Sequence, residues 1–198
     1  MNVYDIDSIE EAKRIILTPI GDRTTEERWE TETPYLLRLI EENLGLDEYS
    51  VVLDYGCGIG RMSKAIIEKF NCHVVGVDTS ESMRKLAVEY VDSDYFYCCS
   101  PDMIGNINVS AAISIWVLQH CPDVEQDIAR VRSILPPGRG WLVVNSFDRF
   151  IPMKDRWYDD EKDVFYLLCG TDVGQAKNLS NADVGDELAT TCFWTVVR

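Results

Sequence analysis

The sequence predicts an α/β fold: a doubly wound, mostly parallel, seven-stranded Rossmann-like sheet finished by an antiparallel carboxyl-terminal strand pair. Three observations predict it. Five short apolar, β-branched runs alternate with segments of helical periodicity. Several of those runs, VVGV and AAISIWV among them, are continuously apolar, as strands covered on both faces must be. A glycine-rich turn, GCGIG, follows the first run directly, where open parallel sheets receive ligands.

In chain order, Thr33-Pro34 reads as an N-cap with proline at the first helical position, opening a helix through Leu44 that stops at Gly45. Residues before it are expected to form a short helical lid. The parallel strands are expected at Ser50 to Asp54, His73 to Asp78, Tyr95 to Cys99, Ala111 to Val117 and Gly140 to Asn145. Arg61 to Phe70 and Ser82 to Val91 carry apolar residues at helical spacing, and Pro122 to Leu135 has proline near its start and Pro-Pro-Gly at its end. These are the crossover helices. Residues 148–162 read as loop or irregular helix. Asp163 to Cys169 and Thr190 to Val197 read as the two strands of the antiparallel pair. The chain of 198 residues is expected to be one domain, with amino-terminal helices over 1–49, a ligand-binding core over 50–147 and the strand pair in 148–198.

Composition narrows the function. Hydrophobic residues make up 46% of the chain and charged residues 27%, which is enough apolar material for a packed core. The net charge of −15 leaves no basic segment to neutralise phosphates, so nucleic acid and anionic membrane are poor partners. Seven cysteines without a C-x-x-C pair read as reduced, mostly buried thiols of a cytoplasmic protein. Two histidines, neither in a metal-ligand spacing, give zinc little support, and no metal is assigned. The acidic amino terminus lacks the apolar segment of a secretion signal, and no membrane span is expected.

The densest chemical signal is VVLDYGCGIGR, residues 51–61. An apolar strand ends in Asp54, and Gly56, Gly58 and Gly60 then alternate into a helix, so that a ligand can touch backbone. A dinucleotide fingerprint would need glycine at position 61, where this chain has Arg61. One strand later, VVGVD closes with Asp78, placed to accept hydrogen bonds from both hydroxyls of an unphosphorylated ribose. An adenosine-type ligand is indicated.

In these residues the chain resembles the class I S-adenosylmethionine-dependent methyltransferases, over roughly residues 50–147. The segments WVLQHCPD (116–123) and LPPGRGWLVV (135–144) extend the likeness. The resemblance implies S-adenosyl-L-methionine as cofactor. Asp54, Gly56, Gly58 and Gly60 would surround its methionine part, Asp78 would hold the ribose, and Thr79, Ser80 and Met83 would flank ribose and adenine. Asp102 is assigned to the adenine amino group, and Trp116, at the end of the fourth strand, is counted with the cofactor site.

His120 follows a strand end that faces the ligand crevice, so it is the candidate general base; bracing a loop carbonyl is its alternative role. Trp29, Tyr35, Trp157 and Tyr158 are candidates either for an acceptor wall or for ordinary packing. The chain lacks the Asn/Asp-Pro-Pro-Tyr/Phe motif of amino-directed adenine and glutamine methyltransferases, and Cys121-Pro122 reverses the Pro-Cys of cytosine-5 enzymes. A small-molecule methyl acceptor is the first expectation and a protein side chain the second. A non-catalytic cofactor-binding module and an NAD-dependent oxidoreductase are the rival readings.

Overall fold

The computed structural model describes residues 4, 6–105, 107–153, 156–171 and 175–198. Two helices lead, α1 (Ile9–Ile16) and α2 (Thr25–Leu44). Then follow β1 (Val51–Tyr55), α3 (Arg61–Phe70), β2 (His73–Val77), α4 (Glu81–Val91), β3 (Phe96–Cys99), β4 (Ala111–Ile115), α5 (Val124–Ile134) and β5 (Trp141–Ser146). The carboxyl third contains β6 (Ile151–Pro152), β7 (Trp157–Tyr158), α6 (Val164–Cys169), β8 (Lys177–Asn178), α7 (Asn181–Val184), α8 (Asp186–Thr191) and β9 (Cys192–Val197).

The main sheet has seven strands in the order β3-β2-β1-β4-β5-β9-β8. The first five are parallel, while β9 runs antiparallel to both β5 and β8. Because the chain winds outward in both directions from β1 and β4, a crevice opens at the carboxyl ends of those two strands. Alternate residues of each strand serve two cores. Val52 of β1 packs with Leu36, Ile40 and Ile66 of α2 and α3, whereas Leu53 packs with Ile128 and Val131 of α5 and Phe165 of α6.

The structure corrects the sequence reading in four places. Thr33 is not an N-cap. Helix α2 starts eight residues before it, where Thr24 and Glu27 form a reciprocal capping box, and Pro34 sits inside the helix. An interior proline costs about 3 kcal/mol; burial of Tyr35, Leu36, Leu39 and Ile40 just beyond it supplies the offset. The helix does stop at Gly45, whose φ of +59° is the left-handed cap.

Asp163 to Cys169 forms a helix rather than a strand. The Asp163 side chain caps it by accepting from the Tyr166 N–H at 2.9 Å, and Val164, Phe165 and Leu168 form its buried side. The antiparallel pair is therefore β8 with β9. Strand β4 ends at Ile115, two residues early, because Trp116 takes φ +60° and turns the chain out of the sheet. Finally, residues 148–162 include a short antiparallel pairing of β6 with β7.

Candidate active site

The turn after β1 is held by backbone bonds that only this conformation allows. The N–H groups of Gly56 and Cys57 both donate to the Val77 carbonyl of β2, at 2.7 and 3.0 Å. Gly56 has φ +80°, and a Cβ there would lie 2.3 Å from a Val117 methyl carbon. Gly58 lies against Ile16 of α1, and Gly60, the N-cap of α3, lies against Val91. Gly76 of β2 leaves room for the Cys57 thiol in the same way: a Cβ there would approach that sulfur to 2.9 Å.

Two acids flank this turn. Asp54 is buried and accepts from the Ser63 hydroxyl at 2.6 Å. Burial raises its pKa to about 6, against the opposing pull of Ser63 and the Arg61 charge. Asp78, just past β2, accepts from the Gly58 N–H and the Ser80 N–H, each at 2.9 Å. Burial also raises the Asp78 pKa, with the two amides working against the shift. The same carboxylate thus ties the glycine turn to the start of α4.

A cavity of about 700 Å³ opens at this edge of the sheet, within the range of roughly 300–1,000 Å³ usual for small-molecule sites. Asp54, Gly56, Gly58, Asp78, Thr79, Met83, Trp116 and His120 all line it. Gly60 does not line it; its missing side chain serves the packing of α3 on Val91. Asp102 is not brought to the cavity either. A 3₁₀ turn over Pro101–Met103 leaves its side chain 91% exposed, 3.6 Å from Arg130, while neighbouring Pro101 lines the wall.

His120 also lines the cavity, from a short 3₁₀ turn after β4. Its Nδ1 lies 2.6 Å from the Phe150 carbonyl, and its Nε2 lies 3.3 Å from Gln119 Nε2. Burial and the Arg149 charge lower its pKa, with the Phe150 carbonyl opposing. Trp157 packs against the ring at a centroid distance of 5.4 Å and lines the cavity. Tyr35 is core, Trp29 packs edge-on against Tyr90, and Tyr158 is 43% exposed, so only Trp157 of the four aromatic candidates reaches the cavity wall.

Sequence reasoning missed Arg149. It is 2% exposed, donates to the carbonyls of Leu118 and Cys121 at 2.6 and 2.8 Å, and pairs with Asp160 at 2.9 Å. The carboxyl third therefore braces the loop that presents His120. It also missed the buried pair of Arg28 and Glu32 on α2, whose i, i+4 spacing was the available signal.

A family model described as a methyltransferase domain matches residues 28–167, which contain the glycine turn, both acids and His120. The chain belongs to the methyltransferase-domain family. S-adenosyl-L-methionine is accordingly the cofactor of this methyltransferase domain. The domain is 26% identical over 144 residues to phosphoethanolamine N-methyltransferase 2 of Caenorhabditis elegans, which covers 69% of the chain and 31% of that protein. It is 31% identical over 108 residues to N-demethylindolmycin N-methyltransferase of Streptomyces griseus, covering 50% and 46%. The chain thus spans less than half the length of either relative. Among solved structures, the cyclase SpnF superposes with a TM-score of 0.58 at 16% identity, covering 82% of this chain and 79% of that one, a likeness of fold alone.

The residues of the methyltransferase domain fit the cofactor. Asp78 would have lone pairs left for ribose hydroxyls, the glycines would admit a ligand against backbone, and Asp54 would present a carboxylate to the same cavity. Among the described residues, no helix is long and apolar enough to cross a membrane.

Proposed function

We propose that the chain transfers the methyl group of S-adenosyl-L-methionine to a small-molecule acceptor by in-line displacement. The observation that carries the reading is one cavity lined both by the glycine turn, Asp54 and Asp78 and by His120, Phe150, Trp157 and Leu188. Its volume of about 700 Å³ leaves room for an acceptor of modest size beside a cofactor.

When bound, the cofactor supplies a methyl group already activated on a sulfonium centre, so the protein needs no covalent nucleophile. The chain's residues then have three tasks. Asp78 holds the ribose and the glycine turn the methionine part, and alignment of this kind contributes about 7–11 kcal/mol when the reacting atoms are held in line. Phe150, Trp157 and Leu188 offer apolar surface to the acceptor. His120 accepts a proton at Nε2 from acceptors that must lose one, which adds roughly 10²- to 10⁴-fold.

The test is a screen that follows S-adenosylhomocysteine release over small amines, phenols, thiols and carboxylic acids, with peptides as the comparison. Turnover with a small molecule supports the reading. Turnover with peptides alone would transfer it to a protein side chain, and cofactor binding without turnover of any acceptor would favour a binding module.

A further inference from the structure

Gly76 of β2 is paired in register with Asp54 of β1 on one side and with Cys98 of β3 on the other. A glycine inside a strand weakens it and marks a close approach of something else. Here two groups approach. A Cβ at Gly76 would lie 2.9 Å from the Cys57 sulfur and 2.9 Å from the Phe96 ring. Cys98 follows Phe96 by two residues and so faces the same side of the sheet. Over the gap left by Gly76 the two sulfurs meet, with Cys57 Sγ 3.7 Å from Cys98 Sγ.

The two thiols differ in what can reach them. Cys57 belongs to the glycine turn, is buried and lines the cavity. Its contact with Cys98 and its burial hold its pKa well above the ordinary thiol range, so it stays protonated. Cys98 is partly exposed, on β3, the edge strand of the sheet. A disulfide holds its sulfurs about 2.05 Å apart, so the pair has less than about 2 Å to close.

We propose that Cys57 and Cys98 form a reversible oxidation site, at which a hydroperoxide installs a disulfide that loosens the hold of the glycine turn on its ligand. The Cys98 sulfur attacks the peroxide and the O–O bond breaks. Cys98 becomes a sulfenic acid, and the leaving oxygen takes up the thiol proton and departs as an alcohol, or as water from hydrogen peroxide. The Cys57 sulfur then attacks Cys98, the S–O bond breaks, and the hydroxyl leaves with the Cys57 proton as water. Two thiols are oxidised to one disulfide while one peroxide is reduced. A dithiol reverses the step by exchange. The effect on the site follows from the backbone. The Cys57 N–H donates to the Val77 carbonyl at 3.0 Å, and the next N–H, of Gly58, donates to Asp78 at 2.9 Å. Drawing the Cys57 sulfur toward β3 strains the bond that ties Asp78 to the turn. This effect, though not the disulfide itself, rests on the reading that the cavity holds S-adenosyl-L-methionine.

The test treats the purified full chain with hydrogen peroxide, alkylates the remaining thiols and reads the mass. The parent should lose two alkylation sites and show a crosslink between tryptic segments 39–61 and 86–130, and dithiothreitol should reverse both. Cys98→Ser should show no crosslink to segment 39–61, whereas Cys99→Ser should keep it. By calorimetry the oxidised parent should bind S-adenosylhomocysteine about tenfold more weakly, the loss expected of one hydrogen bond, and peroxide should leave the affinity of Cys98→Ser unchanged. Cys98→Ala carries the comparison if Cys98→Ser does not fold. A parent without the crosslink, or a crosslink equally present in Cys98→Ser, would overturn the assignment. A crosslink with unchanged affinity would overturn its control of the site. A reduced parent that binds no S-adenosylhomocysteine would instead remove the cofactor reading, and the mass and peptide map would still decide the disulfide.

Discussion

His120 donates its Nδ1 proton to the carbonyl of Phe150, 2.6 Å away, because a carbonyl oxygen can only accept. The ring is thereby fixed as the tautomer whose lone pair sits on Nε2. Gln119 is oriented by accepting from the Ser146 N–H at 2.9 Å, which turns its amide donor toward that lone pair at 3.3 Å. In the proposed reaction an acceptor's proton displaces this longer contact.

His120→Ala is expected to lower kcat about 10²- to 10⁴-fold with little change in cofactor affinity. Burial lowers the histidine pKa, so the imidazole stays neutral below its ordinary range near 6.5. In the parent, kcat should hold steady as pH falls to that value and decline only beneath it. A flat profile together with near-parental turnover in the variant would leave catalysis to alignment alone.

Asp78 ties the glycine turn to α4 and is the proposed ribose ligand, and its removal should test both. Asp78→Ala is expected to cost roughly 10²-fold in S-adenosylhomocysteine affinity through the lost ribose bonds. It also frees the N–H groups of Gly58 and Ser80, at about 1–3 kcal/mol each where they stay buried, so thermal stability should fall as well. Asp78→Asn keeps one acceptor oxygen and should recover part of the stability. Parental affinity in Asp78→Ala would refute the ribose role.

Asp54 makes stability and binding depend on pH in opposite directions. Its folded-state pKa, about 6, lies above the ordinary value of 3.8. Between those values the native state holds the proton more tightly than the unfolded chain, so stability is greatest at the acid end and declines as pH rises toward 6. The full effect is about 3 kcal/mol, and urea unfolding of Asp54→Asn should lack it. Affinity for the cationic cofactor should rise over the same interval as the carboxylate ionises, with proton release detectable by calorimetry in buffers of different ionisation enthalpy.

Most of the core was legible because parallel strands covered on both faces must be apolar throughout, and helices must separate them. The errors lie where local pattern is ambiguous. DVFYLLC is apolar enough for a strand, and only the flanking Asp163 cap and Gly170 at φ +63° distinguish a short buried helix. Thr33-Pro34 imitates a helix start, while the true start lies in an acidic stretch whose capping box carries no apolar signal. At the site, Asp54, Asp78 and the glycines were readable from spacing. Arg61 stood out only as a missing glycine. Its partners Arg28 and Glu32 lie some thirty residues earlier, on a helix whose buried side cannot be read from charge alone, and Arg149 acts through tertiary contacts without any local pattern.

Gly56 offers a check on the turn itself. Gly56→Ala places a methyl group against Val117 in a left-handed backbone conformation, and overpacking of this kind costs about 1–3 kcal/mol beyond the backbone strain. Val117→Ala should restore part of the loss in the double variant, measured by chemical unfolding as a coupling energy. Strict additivity would show that backbone strain alone causes the loss.

Helix α1 is expected to set how quickly the site exchanges its ligand. Ile15 and Ile16 form part of the cavity wall, and Ile6 and Ala12 pack with Ile59, Met83 and Leu86 in a cluster separate from the two main cores. A satellite this small is expected to open at a free energy below that of global unfolding. Release of the spent cofactor is then expected to follow the opening of that wall. Substitutions that loosen the satellite, such as Ile6→Ala, should therefore accelerate release in stopped-flow exchange. An enzyme limited by this step would turn over faster with a weaker amino-terminal anchor, until the open wall began to admit water.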